Sequence, residues 1–289
     1  MEDTMASNPA FNRLEKDARS GYAGFGGRGA NPGNVSYAQQ GATDTWGSQQ
    51  QLQDLYNQPS AGPVDTGRVT MDDVIMKTMG LFALVLGFGA AAWYVAAQNQ
   101  DLGLLLTMAW APMFALGLVI AFKKTLSVPL IVAYAVVEGV FVGAISQFFE
   151  ARWQGVVPTA ALATVATFTG MFLAYKSGLI KVTDKFRRIV TMMVIGYAIF
   201  ALINYLVLPL LVSSSSSEIG FVGGTPGILI SLFAVGLASV TLALDFDMID
   251  RAIATGAPQK YSWLLAHGLI VTVVWLYIEF LRLFARMRE

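Results

Sequence analysis

The sequence predicts an all-α membrane protein, a bundle of seven transmembrane helices behind a disordered N-terminal tail. Three observations lead there. The chain of 289 residues is 55% hydrophobic and only 13% charged, against about 25% charged in an ordinary soluble domain. Its mean hydropathy is +0.56. Its apolar residues fall in long unbroken runs, not in the alternating or single-face patterns of soluble strands and helices.

The tail comes first. Residues 1–70 are rich in Gly, Asn, Gln, Ser and Ala, poor in aliphatic side chains and without periodicity. Such a segment cannot bury enough surface to offset its ordering entropy and reads as disordered. Its spaced aromatics, Phe11, Tyr22, Phe25, Tyr37, Trp46 and Tyr56, suit a partner-binding arm, set against the plainer reading of a solvated tail. The opening Met-Glu-Asp-Thr-Met has no positive n-region or apolar h-region, so no cleavable signal peptide is expected.

Residues 71–289 form the second domain. Seven apolar segments, at 74–97, 102–122, 128–149, 156–175, 189–212, 221–244 and 262–284, each approach the ~20 residues a helix needs to cross a bilayer. In lipid only helices and closed barrels satisfy every backbone group, and these runs are too long and unalternating for barrel strands. Small residues at helical spacing, Gly87 with Ala91, Gly139 with Gly143, and Gly236 with Ser239 and Ala243, permit close helix packing. Pro112, Pro129 and Pro209 lie in or at the edges of spans, where kinks are tolerated.

Basic residues set the orientation. With the tail inside, that side collects Arg68, Lys77, Lys123, Lys124, Lys176, Lys181, Lys185, Arg187, Arg188, Arg251 and Lys260, while the outer loops hold only Arg152. A multi-pass protein of the cell inner (plasma) membrane with a cytoplasmic N-terminus follows. One group disagrees: seven crossings put Arg282, Arg286 and Arg288 outside.

Several functions are excluded on composition. A net charge of zero gives no general attraction to nucleic acid. The absence of cysteine removes disulfides, thiolate catalysis and zinc–thiolate sites, and the single histidine removes multi-histidine metal centres. A retinal protein needs a lysine inside its last span, but Lys260 precedes that span. Ser146 with His267 lacks the Gly-x-Ser-Gly setting of an intramembrane serine protease. No phosphate loop or metalloprotease motif occurs. No enzyme activity and no cofactor are expected.

What remains are ionisable residues inside apolar helices, functional candidates by default. The stretch 236–286 concentrates them. Asp245 is flanked by Ala243, Leu244, Phe246 and Met248, a plausible proton or cation site, whereas Asp247 and Arg251 have the i,i+4 spacing of a surface ion pair. His267 lies about two turns, ~9 Å, into the last span, at a depth like that of Asp245 across a short turn. An Asp245–His267 contact is therefore geometrically open, and histidine titrates in the physiological range. Glu279 follows Trp275 and Tyr277 and shares a face with Arg282 and Arg286, which fits an intrahelical ion pair or a gate. Glu138 sits mid-span beside Gly139 and Gly143, at a depth where a carboxylate is protonated or paired inside the bundle.

These residues carry a resemblance. Val69-Thr-Met-Asp-Asp-Val74, Glu138-Gly-Val-Phe-Val-Gly-Ala-Ile-Ser146, Tyr175-Lys-Ser-Gly-Leu-Ile-Lys-Val-Thr-Asp-Lys-Phe-Arg-Arg188, Leu244-Asp-Phe-Asp247 and Trp275-Leu-Tyr-Ile-Glu-Phe-Leu-Arg282, in that order, resemble the Bax inhibitor-1/YccA-like family, the transmembrane Bax-inhibitor-motif proteins, in an actinobacterial style. The likeness covers residues 70–287, and residues 7–13 also resemble tails of that group. It implies a seven-helix bundle with a central last helix and a pH-dependent calcium leak, gated by two aspartates on the last two spans that share a proton. Asp245 matches the first; the second falls at about Thr272, which cannot titrate. His267, Glu279 and Glu138 are the candidates to replace it. The expected function is a pH-sensitive cation (calcium) leak with Asp245, Glu138, Glu279 and His267 as sensor and path. The alternative is a non-transporting regulator that binds a membrane partner such as a quality-control protease.

Overall fold

The structure, a computed structural model, describes residues 67–98, 102–123, 125–204 and 224–288, with side chains from 110 onward in the second of these segments. The expected tail up to residue 66, and the ends of the spans expected at 189–212 and 221–244, lie outside the described residues. Among the described residues the regular structure is helical: α1 (Met71–Gln98), α2 (Leu102–Phe122), α3 (Val128–Arg152), α4 (Val156–Lys176), α5 (Asp184–Leu202), α6 (Gly224–Ala254) and α7 (Tyr261–Arg286). Five of them, α1, α3, α4, α6 and α7, are long and apolar enough to cross a membrane.

Local chemistry sets the ends. Thr70 Oγ1 accepts the backbone N–H of Asp73 at 3.1 Å, and Asp72 and Asp73 place negative charge in the first turn of α1. Glu150, at the end of α3, accepts from the backbone N–H groups of Gly155 (2.6 Å) and Val157 (3.1 Å), so one helix caps the next. Thr183 does the same for α5 through Phe186.

The α6 helix outlasts its apolar run, placed at 221–244, and continues through polar residues to Ala254. There Gly256, with φ of 64°, takes the left-handed position of a Schellman turn: its N–H bonds Ile253 and the next N–H bonds Ala252, both at 3.0 Å. The polar residues 247–251 thus form the helix's last turns, not its exit.

The α7 helix is the axis of the bundle, packed against α1, α3, α4 and α6. Ala266, Leu276, Leu281 and Ala285 on it are fully enclosed. The outer faces of the other helices carry the reverse pattern, with Leu86, Leu162, Val165, Leu229 and Leu232 all more than half exposed. An unfolded chain in water gains nothing from such a surface, but lipid is its matching solvent.

The tightest seam joins α1 to α3. A Cβ placed on Gly139 would stand 2.7 Å from the Val85 carbonyl oxygen, and one on Gly143 would overlap the Gly89 carbonyl oxygen. Only glycine allows this approach. Gly87 and Gly236, expected to pack likewise, have nothing within 4 Å of that position; Gly89 serves instead of Gly87.

The two ends of the described chain lie at opposite ends of the bundle. Residues 67–70 pair with the α6–α7 turn, through Val69 N–H to Ala257 O and Gln259 N–H to Gly67 O, both 2.8 Å. Arg288 donates to the carbonyl of Gln154 in the α3–α4 connection. Hence α7 runs the full depth of the bundle, with Lys260 before one end and Arg286 and Arg288 at the other.

Candidate functional site

Two buried polar clusters flank α7. The first joins α6 and α7. Asp245 lies nine residues before the end of α6, about 14 Å inward at 1.5 Å per residue. Thr272 on α7 is the polar side chain that faces its carboxyl, and its Oδ2 is buried with no partner. Thr272 Oγ1 also lies 3.1 Å from the carbonyl oxygen of Gly268, one turn earlier, to which it donates. A hydroxyl has one hydrogen and two lone pairs. It can give that hydrogen to Gly268 and accept one from a protonated Asp245, or turn and give it to an ionised Asp245.

The second cluster joins α3 and α7. Glu138 is only 2% exposed, its Oε2 has no partner, and Tyr134, one turn earlier, is the polar side chain beside it. The ring of Tyr134 meets that of His267 edge-on, with centroids 4.6 Å apart. Tyr134 therefore stands between the glutamate and the histidine. Further along the same side, Ser146 Oγ and Tyr277 Oη are 2.7 Å apart.

The Asp245–His267 contact left open by the sequence does not form among the described interactions; Asp245 meets Thr272 and His267 meets Tyr134. The reason is angular. Residues 267 and 272 are five apart, about 140° around a helix of 3.6 residues per turn. Nor are the two level: His267 lies six residues, about 9 Å, into α7, and Asp245 about 14 Å into α6.

Glu279 belongs to neither cluster's open chemistry. It is 1% exposed, and its Oε1 accepts from Tyr197 Oη of α5 (2.7 Å), Trp275 Nε1 (3.1 Å) and Arg282 Nη1 (3.0 Å). The intrahelical ion pair with Arg282 forms, and Tyr197 adds a tie to α5. Arg286, though on the face of Glu279, turns to α6, donating to the Gly227 carbonyl (2.5 Å) and Ser231 Oγ (2.7 Å).

Toward the α6 C-terminus, Asp247 pairs with Arg251 (2.8 Å), as the spacing suggested, and also with Arg187 at the start of α5. Tyr175 Oη donates to Asp250 at 2.8 Å. Together these strap the α4–α5 connection across the end of α6, one turn from Asp245. Among the described residues no three acidic or histidine side chains gather as a resident metal centre would require.

The partners the sequence reading missed are Tyr134, Tyr197 and Arg187. Tyr134 was legible in principle, being i−4 to Glu138 on one helix. The other two come from α5 and carry no local signal.

The sequence pattern of the Bax inhibitor 1 like family matches residues 8–289, nearly the whole chain. This chain belongs to the Bax inhibitor 1 like family. No curated protein matches it. In this Bax inhibitor 1 like protein, then, the α6 aspartate faces Thr272, the position at which the resemblance put the second gating aspartate. The site thus holds one carboxyl opposite a hydroxyl.

Proposed function

We propose that this integral membrane protein crosses the inner (plasma) membrane seven times, N-terminus in the cytoplasm, and passes cations, calcium foremost, under control of protonation at Asp245. One observation carries the reading: a carboxyl at the centre of a lipid-facing bundle with one buried oxygen unpartnered and the other group in reach a hydroxyl that can bond either of its states. An intramembrane carboxylate is costly unless paired, so it is held where function uses it. Ionised, Asp245 takes the hydrogen of Thr272, keeps a bare oxygen, and attracts a hard cation such as calcium, which suits carboxylate oxygen. Protonated, it donates to Thr272, which stays bonded to Gly268, and the seam is neutral and closed to cations. Glu138, with Tyr134 and His267, supplies a second acidic station on the other side of α7. Glu279 acts by holding α5 to α7.

The test is calcium flux into liposomes carrying the purified protein, from about pH 6 to 8, for wild type and Asp245→Asn. Flux that varies with pH in wild type and loses that variation in the variant supports the reading. Flux no greater than in empty liposomes at every pH sinks it and leaves the regulator that binds a membrane partner. Deleting residues 1–68 separates the two further: a leak survives the deletion, and a regulator working through its tail does not.

A further inference from the structure

Where α1, α3 and α7 begin, an open cleft of about 550 Å³ lies at the bundle end. Lys77 lines it, its ammonium 5.6 Å above the Trp263 ring, 2.5 Å from Ser262 Oγ and 3.4 Å from Asp73 Oδ1. An ammonium has three hydrogens, so two are placed and a third is left for a ligand. Asp73, the acid in the lining, is already engaged: both its oxygens accept from the Gln259 amide, at 3.0 and 3.1 Å, and one pairs with Lys77. Lys260 on the rim is exposed and lies within ion-pair distance of no carboxylate among the described residues, so the cleft is net positive. Ser127 also lines it, and its hydroxyl makes no capping bond to α3. Leu126, Pro129 and Trp263 complete the lining with carbon.

We propose that this cleft binds a phosphate group, delivered by an anionic phospholipid headgroup or as a free anion. The chemistry is two lysines and a hydroxyl beside an apolar wall, at the level where helix ends meet the headgroup region. Basic pockets between helices at such a level suit phosphate-bearing heads. The inference stands apart from ion conduction, since binding is read without flux.

The experiment measures binding to the purified full chain of three probes: phosphatidylglycerol, phosphatidylcholine and inorganic phosphate at matched ionic strength. Wild type is compared with Lys77→Met, Lys260→Glu and Lys181→Glu, the last reversing an exposed charge in the α4–α5 connection away from the cleft. Phosphatidylglycerol is expected to bind at least fivefold tighter than phosphatidylcholine. Each lysine charge near an anionic head is worth about fivefold, so Lys260→Glu should weaken binding at least that much and Lys181→Glu should not. Retained lipid that phosphate does not displace assigns the site to a headgroup; saturable phosphate binding without a lipid preference, lost in Lys260→Glu, assigns it to a free anion. No binding above phosphatidylcholine by either anion overturns the proposal, as does an equal loss in Lys181→Glu and Lys260→Glu. Should Lys77→Met fail to fold, the exposed Lys260 still decides.

Discussion

Replacing Gly143 by alanine should loosen the bundle at its tightest seam. The added carbon overlaps the Gly89 carbonyl oxygen and stands 3.0 Å from the Ala92 side chain. The main obstacle is backbone within α1, so no rotamer change relieves it, and α1 and α3 must move apart. Overpacking of this kind costs about 1–3 kcal/mol, and a rigid obstacle puts this site at the upper end. For a domain of this size about 3 kcal/mol lowers the Tm by roughly 6–12 °C. The assay is thermal unfolding of the purified protein in lipid nanodiscs, followed by tryptophan fluorescence. Gly87→Ala is the matched control on α1: its new carbon meets nothing within 4 Å, and a helix interior gains about 0.5–1 kcal/mol when glycine becomes alanine. If Gly143→Ala melts with or above Gly87→Ala, the seam is not packed as described and the argument for glycine at 139 and 143 fails with it.

Other outcomes follow from the same contacts. Glu279→Ala removes the one oxygen that Tyr197, Trp275 and Arg282 share and breaks a buried ion pair; a loss of about 3–5 kcal/mol is expected in the same melt. Arg187→Ala breaks a pair whose arginine side chain is 37% exposed, so stability should fall by less than about 1 kcal/mol, while limited proteolysis should speed up at the α4–α5 connection. Thr272→Val keeps the shape at the α6–α7 seam but removes the hydroxyl. Flux should then lose its pH dependence as in Asp245→Asn, and Thr272→Ser should retain it; a valine variant with the wild-type profile would exclude Thr272 from the switch.

The helices were legible because lipid imposes a blunt requirement, about twenty apolar residues in a row, and α1, α3, α4 and α7 meet it almost where the runs begin and end. The C-terminal end of α6 is less legible, because its apolar run stops at residue 244 while the helix does not. Asp247, Asp250 and Arg251 satisfy one another, Arg187 and Tyr175 along the helix surface, and the break waits for Gly256. Within the site, Thr272 came from the resemblance, whereas counting residues put His267 at the depth of Asp245. It gave no account of which side of α7 faces which neighbour, so His267 was offered to Asp245 when its ring belongs with Tyr134. Glu279 shows the same limit: its pairing with Arg282 three residues on could be read, and the tyrosine 82 positions away could not.

The order of synthesis gives the central position of α7 a further meaning. The ribosome makes the other six helices first, and α7 alone reaches α1, α3, α4 and α6 at once. Until it inserts, α1 and α3 can pair through their glycines, but Asp245 lacks Thr272, Tyr197 lacks Glu279, and Ser231 lacks Arg286. The nascent bundle carries half-made contacts along the faces that α7 will cover. A chain stopped before α7 is therefore not a smaller version of this protein but an unfinished one, without the α7 partners of Asp245, Tyr197 and Ser231.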